Sequence, residues 1–314
     1  MLAVLALALL SGTPTGLLRP APEKIRAWTT ALREQQPDDA FATIYHFRRR
    51  HLVFVAAQHE NQNDSSTFKV IWAAYATFKF DTVIAEGFPA SWGPNPARII
   101  DGVSKVKPTA SGFVEGGETV PAVLGAQQQG ATLVGGEADD LDTKSRILAA
   151  GYSAKDLLGF YVLRNIPQWI EEHELDNAAD SRLAVKVVAA IARRRQQLDL
   201  PADVLPGYAE WAKWYQELNH KPIGNSFQIE EVGPLADGPF GTNKIAYGVS
   251  KVRDAYLHEL IIDRLNADKN VLVIFGGSHL LIQRPALDAV LGRPCYTGAN
   301  LVEAAASCRR VRRR

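Results

Sequence analysis

Four short runs of mostly apolar residues recur along the chain and lack the polar alternation of a half-exposed strand. They cover residues 51–57, 82–85, 131–134 and 271–275. Such runs are typical of strands buried on both faces of a parallel sheet. Helical patterns lie between or after them, at about 67–80, 119–129, 249–266 and 280–291. The pattern therefore predicts an α/β protein with a mostly parallel sheet flanked by helices.

The stretch from about 140 to 245 has a helical period instead. One predicted helix carries Phe160 and Leu163, another ends at about residue 195, and a third spans about 206–220. We interpret 21–314 as a single α/β domain with a helical insertion at about 140–245. Trp211 and Trp214 lie on one face of the third helix, and packing between helices is their expected role.

Residues 1–20 begin with an unbroken apolar run, 2–10. Its length suits the apolar region of a secretory signal peptide and is well short of the ~20 residues that span a bilayer. A signal peptide predicts a secreted or periplasmic protein, and a buried N-terminal segment of a cytoplasmic protein is the alternative. No other segment predicts a transmembrane helix.

Composition and charge limit the function classes. The chain has 314 residues, 46% of them hydrophobic, and a net charge of +1. Five positive charges lie in the last six residues, so the rest of the chain carries −4. A mildly acidic body excludes a nucleic-acid-binding domain, which needs a basic face. The two cysteines, Cys295 and Cys308, are too few for a four-cysteine zinc site, and they pair only if the compartment is oxidising.

The candidate chemistry lies where the apolar strands end. His59, Glu86, Glu137 and His279 each follow a predicted strand by one to a few residues. In parallel α/β sheets, ligands bind beyond the carboxyl ends of the strands. Imidazoles and carboxylates either hold a divalent metal that activates water or activate it without metal. Both routes lead to hydrolysis.

Neighbouring residues add to this set. Gln58, Gly87, Gly136, Gly277 and Ser278 offer small or hydrogen-bonding surroundings for close approach of a ligand to the backbone. For Glu137, the alternative role is a charge cluster with Asp139 and Asp140 at a helix N-terminus. No site role is predicted for the other histidines: His46, His51, His173, His220 and His258.

Three segments carry a resemblance to a known superfamily: Ala56-Ala57-Gln58-His59, Ile84-Ala85-Glu86 and Ile274–Leu280. They resemble the superfamily of TraB/PrgY/GumN proteins, Tiki proteases, ChaN-like proteins and erythromycin esterases, which has a G-x-x-H after its first strand, a glutamate after its second and a G-x-x-H near its C-terminus. The resemblance covers about 48–137 and 245–298. Ala56 replaces the usual glycine, and Asp254 stands where asparagine is common.

The resemblance implies an EreA/ChaN-like fold and a hydrolase of ester or peptide bonds that acts on a small-molecule or peptide substrate. In Tiki-like members a divalent metal is bound, here by His59, Glu86 and His279. In erythromycin-esterase-like members the site works without metal, and the histidines activate water. Arg253 would anchor substrate or transition-state charge. The alternative is a non-catalytic ligand-binding or regulatory protein, such as a ChaN-like haem binder, with Tyr161 or Tyr208 available as an axial ligand.

Overall fold

The structure, a computed structural model, describes residues 17–267 and 269–311. The apolar run at 2–10 and the last three residues of the basic tail lie outside the described residues. Within the described part, no helix is both long enough and apolar enough to cross a membrane.

The described residues form one six-stranded sheet in the order β4-β3-β5-β2-β1-β6. Strands β4, β3, β5 and β2 are parallel to one another, and β1 is antiparallel to both of its neighbours. The predicted α/β architecture with a mostly parallel sheet is therefore confirmed. The strands are β1 (Phe41–Phe47), β2 (Arg50–Ala57), β3 (Thr82–Pro89), β4 (Thr132–Glu137), β5 (Val271–Gly276) and β6 (Tyr296–Gly298).

The sequence pattern does not predict β1 and β6. β1 contains Thr43, Tyr45 and His46 among its apolar residues, so it does not show the continuous apolar run of the central strands. β1 forms a hairpin with β2. The turn between them contains Arg48 with a φ of +54°, and it lacks the glycine that usually marks such a turn in a sequence. β6 has only three residues and no pattern of its own.

Twelve α-helices are described. The α4 helix matches the predicted 119–129, and it ends at Gly130, whose φ of +67° suits the left-handed position after a helix. The segment 88–118 is rich in Gly, Pro and Ser, a composition that predicts mostly loop, but the structure shows that it contains α3. The helices are α1 (Thr30–Arg33), α2 (Ser66–Thr77), α3 (Ala97–Ser104), α4 (Thr119–Gln129), α5 (Asp140–Ala149), α6 (Ala154–Leu163), α7 (Asn165–Glu171), α8 (Leu183–Gln197), α9 (Tyr208–Asn219), α10 (Gly241–Asn266), α11 (Gly277–Leu291) and α12 (Leu301–Val311).

Three large apolar clusters, and a small one formed by Trp28, Leu32, Leu235 and Ile282, hold these elements together. Alternate strand residues face either α2, α4 and α12 or α10 and α11, so both faces of the sheet are covered. The third cluster joins α5 to α9, and it includes Trp211 and Trp214, which are fully buried between helices as expected. The first half of α10 packs in that cluster and its second half packs on the sheet. Helix α10 therefore fixes the middle helices against the sheet.

Cys295 and Cys308 form a disulfide that ties the segment before β6 to α12. Since α12 packs against α2 and β1, the bond closes the antiparallel side of the sheet.

Candidate functional site

A cleft of about 940 Å³ opens at the carboxyl ends of the parallel strands. Its lining includes His59, Glu86, Glu137 and Arg253. His279 lies just beneath it, in the first turn of α11, with 11% of its side chain exposed. The structure thus brings all five predicted site residues to one region. The sequence pattern misses the helical context of His279, because it begins this helix at Leu280.

His279 is held between two carboxylates. Its Nδ1 atom lies 2.7 Å from Oδ1 of Asp254, and its Nε2 atom lies 3.5 Å from Oε1 of Glu86. Burial would lower the pKa of this imidazole, but the two carboxylates outweigh it and raise the pKa to about 10. His279 is therefore an imidazolium at neutral pH.

The carboxylate of Glu86 is contacted by two positively charged side chains and a backbone N–H group. Its Oε2 atom accepts a hydrogen bond from the backbone N–H of Gly276 at 2.7 Å, and its Oε1 atom accepts one from Nη2 of Arg253 at 3.3 Å. Burial would raise the pKa of Glu86, but His279, Arg253 and the Gly276 N–H hold it well below its usual range. Glu86 therefore stays ionised.

Arg253 forms a two-pronged ion pair with Glu137. Its Nε atom donates to Oε2 at 2.6 Å, and its Nη2 atom donates to Oε1. Burial disfavours the charge, but Glu137 and then Glu86 raise the pKa of the guanidinium above its ordinary value. Among the described residues, no hydrogen bond from Nη1 of Arg253 is formed, so that nitrogen remains able to donate to a ligand.

His59 is the exposed member of the site, with 66% of its side chain accessible. Its Nδ1 atom lies 2.6 Å from Oε1 of Glu118. Since a carboxylate only accepts, Nδ1 carries the proton and Nε2 is left as the free base in the neutral ring. The hydrogen bond to Glu118 raises the pKa of His59, against an opposing effect of burial. A Cβ atom at Gly276 would lie 2.9 Å from Nε2, so this nitrogen sits directly beside the end of β5.

Glu118 and Asp254 are site residues that the sequence reasoning missed. Gly116-Gly117-Glu118 reads as a loop because no strand precedes it, yet Glu118 lies at the N-terminus of α4 and faces His59. In the sequence, a surface pair with Asp254 or a helix neighbour is the alternative to a site role of Arg253, but Asp254 is fully buried against His279.

The partners of Asp254 extend the network along α10 and α11. Ser250 donates to its Oδ2 atom at 3.1 Å, and Nε2 of Gln283 donates to its backbone carbonyl at 2.6 Å. Oε1 of Gln283 in turn lies 3.2 Å from Nδ1 of the buried His258. Ser250, Asp254 and His258 recur every four residues, and this polar stripe on an otherwise apolar helix face is the signal that marks a buried network.

Two of the three glycines expected to leave room for a ligand are packed against side chains instead. The space beside Gly136 is filled by Phe275, since a Cβ there would lie 2.3 Å from the ring, and Gln36 lies 3.0 Å from the corresponding position at Gly277. Packing against these side chains, and not the approach of a ligand, explains why a side chain would not fit freely at Gly136 or Gly277. Gly87 lines the cleft with a φ of +98° and open space beside it, so it does leave room for a bound molecule.

The arrangement of these groups does not suit a divalent metal at His59, Glu86 and His279. Arg253 already places a positive charge against Glu86, and Nε2 of His279 faces that same carboxylate. Within the described part of the chain, the one trio of ligand atoms all within 4.8 Å is His46, Cys295 and Cys308, and both sulfurs are in the disulfide.

No family model matches the chain, and neither the curated proteins nor the solved structures that were compared with it give a match.

Proposed function

We propose that the chain is a metal-independent hydrolase of ester or amide bonds. The observation that carries this is the exposed His59–Glu118 pair in a cleft that also contains an arginine with a free nitrogen. A carboxylate-oriented imidazole is a general base, and a fixed guanidinium stabilises a developing oxyanion. The order of His, Glu and His after strands supports membership of the erythromycin-esterase-like branch of the superfamily that the sequence resembles.

In this mechanism Nε2 of His59 takes a proton from a water molecule as the oxygen attacks the substrate carbonyl carbon. Glu118 accepts the Nδ1 hydrogen bond and stabilises the imidazolium that forms. The carbonyl π pair moves onto oxygen, and Nη1 of Arg253 donates to that oxyanion. Collapse breaks the bond to the alcohol or amine, which leaves with the proton held by His59.

Glu86, Glu137 and His279 hold the arginine in place. Glu137 fixes two nitrogens of Arg253, and Glu86 contacts one of them. His279 balances the charge of Glu86 from below. Their role in the proposal is to keep Nη1 aimed while the substrate changes, which is the preorganisation that oxyanion stabilisation requires.

We also propose that the protein works in an oxidising compartment, secreted or periplasmic. The Cys295–Cys308 disulfide supports this, because such bonds persist outside the reducing cytosol.

The test is hydrolysis of a panel of aryl esters and amides by metal-free protein. His59→Ala should lower kcat/KM by roughly 10²–10⁴, the usual contribution of a general base. His46→Ala is the matched control, because His46 lies on β1 away from the cleft, and it should keep wild-type activity. Full activity in His59→Ala, or activity that appears only when a divalent metal is added, would contradict the proposal. A Soret band on haem titration without any hydrolysis would favour the haem-binding alternative.

A further inference from the structure

The cleft contains one arginine that forms no ion pair within the described part of the chain. Every carboxylate in its lining has a positive or N–H partner: Glu86 and Glu137 with Arg253, Glu118 with His59, Asp139 with the N–H of Asp142, and Asp140 with Arg194. Arg164 also lines the cleft, but its guanidinium makes no ion pair and no side-chain hydrogen bond with the described residues.

Arg164 is one of two guanidinium groups beside the same aromatic ring. It follows α6 directly, and its Cζ atom lies 5.8 Å from the ring centroid of Tyr161. The Cζ atom of Arg194, on α8, lies 5.4 Å from that centroid. Tyr161 is buried, so the ring is a fixed surface on which both guanidinium groups are positioned.

Arg194 is only partly satisfied. Its Nη1 atom donates to Oε1 of Gln197 at 3.0 Å, but it lies 3.8 Å from the carboxylate of Asp140, beyond hydrogen-bond distance. Its Nε atom is buried and has no hydrogen-bond partner in the described structure. The amide nitrogen of Gln197 also remains free to donate, because Arg194 uses only the oxygen.

The electrostatics of this corner favour an anion. Although Arg164 is open to the cleft, loss of surrounding water and the nearby charges of Arg253 and Arg194 lower the pKa of its guanidinium. A negative group would relieve that repulsion. Guanidinium groups bind carboxylate and phosphate oxygens through paired, charge-assisted hydrogen bonds, which are stronger than those to a neutral acceptor, and they repel an ammonium group.

We propose that Arg164, with Arg194 and Gln197, forms a subsite that binds a carboxylate or phosphate group on a small organic substrate. The proposal rests on the hydrolase function above, since it names the substrate class of the same cleft. The subsite belongs to α6–α8, whereas His59 and Arg253 belong to the sheet edge and α10. A substrate held by its anionic end at Arg164 would present its scissile bond along the cleft.

The test is calorimetric titration of inorganic phosphate and of succinate into the full chain at constant ionic strength and neutral pH. Wild type should bind at least one of them with a Kd on the order of 1 mM, as expected for a fragment-sized ligand. Arg164→Gln should weaken that binding about 10-fold, and Arg164→Lys should weaken it less, because it keeps the charge without the planar fork. Tighter binding of phosphate points to a phosphate ester, and tighter binding of succinate to a carboxylate.

The matched control is Arg193→Gln, which removes the same charge from an exposed neighbour on α8 that does not line the cleft. It should bind like wild type. Equal affinities in wild type, Arg164→Gln and Arg164→Lys would overturn the subsite, as would absence of binding by folded wild type.

His59→Ala should keep anion binding while it loses hydrolysis. If neither wild type nor any variant hydrolyses an ester but Arg164 controls anion binding, the hydrolase proposal fails and the anion subsite stands. Hydrolysis by wild type without anion binding would instead leave the hydrolase and remove the subsite.

Discussion

Nδ1 of His59 lies 2.6 Å from Oε1 of Glu118, although the two residues are 59 positions apart in the chain. His59 follows β2 and Glu118 precedes α4, so the pair exists only because the sheet and the 88–118 segment fold against each other. The contact fixes which ring nitrogen is the base and raises the pKa of His59.

Glu118→Gln should therefore change the pH profile as well as the rate. The amide can still accept from Nδ1, but it lacks the charge that favours the imidazolium, so the pKa of His59 falls. The base form then persists to lower pH, and the acid limb of kcat/KM should move to lower pH than in wild type. The plateau should drop about 10-fold, less than the ~10²–10⁴ lost with the base itself, because the amide still orients the imidazole ring. Glu115→Gln, on the same loop but exposed and outside the cleft, should change neither quantity. An unshifted acid limb in Glu118→Gln would remove Glu118 from the mechanism.

Gly276→Ala should reduce activity with little loss of stability. The φ of Gly276 is −51°, which any residue adopts, so the backbone is not strained. The new methyl group would lie 2.9 Å from Nε2 of His59, and the exposed ring can rotate away at small cost. We expect the melting temperature to stay within a few degrees of wild type while kcat/KM falls about as far as in His59→Ala.

Gly102→Ala is the control for that substitution. Gly102 lies in α3, and a Cβ there meets nothing within 4 Å. It should leave kcat/KM unchanged and stabilise the fold by roughly 0.5–1 kcal/mol, since alanine favours a helix over glycine. Wild-type activity in folded Gly276→Ala would show that the position of Nε2 beside β5 is irrelevant to catalysis.

Asp254→Asn should destabilise the protein and flatten the dependence of its stability on alkaline pH. The pKa of His279 is about 10 in the folded chain and about 6.5 when unfolded. A raised histidine pKa stabilises the fold fully below pH ~6.5, and that contribution is lost as the pH rises toward 10. Without Asp254 the pKa of His279 falls, so the variant should lose less stability between pH 7 and 10.

Urea unfolding at pH 6.5 and 9.5 measures this effect. Loss of the buried partner should cost roughly 3–5 kcal/mol at the lower pH, as for other broken buried ion pairs. Asp263→Asn is the matched control, because Asp263 is exposed on the same helix, and it should behave like wild type. Parallel pH curves for wild type and Asp254→Asn would exclude Asp254 as the group that charges His279.

The strands that carry the site were predictable because they are buried on both faces, and their sequences show it as continuous apolar runs. The same pattern placed His59, Glu86, Glu137 and His279 at strand ends, since the carboxyl ends of parallel strands share one edge. β1 was not predictable in this way, because it contains polar residues and therefore lacks a continuous apolar run.

The partners of those residues were not predictable in the same way. Glu118 reaches His59 from a loop, and no local period records which loop will cover a sheet edge. Asp254 was visible only as a polar residue on α10, and its burial depends on how α11 packs beside that helix. Arg164 lies at the junction of α6 and α7. The position of that junction against the sheet depends on how α10 packs, which is a tertiary contact that no local sequence pattern records.

Removal of the disulfide should lower stability without touching the site. Cys295 and Cys308 close a loop 13 positions long, and the loop-entropy relation gives about 3 kcal/mol for a loop of this size. The double variant Cys295→Ser/Cys308→Ser should lose about that much in urea unfolding, and wild type unfolded under dithiothreitol should match it. Because α12 packs on α2 and β1 and does not line the cleft, kcat/KM of the folded variant should equal that of wild type. If the double variant is as stable as oxidised wild type, the disulfide does not constrain the unfolded chain. If the variant is fully folded but its kcat/KM falls, α12 contributes to the site.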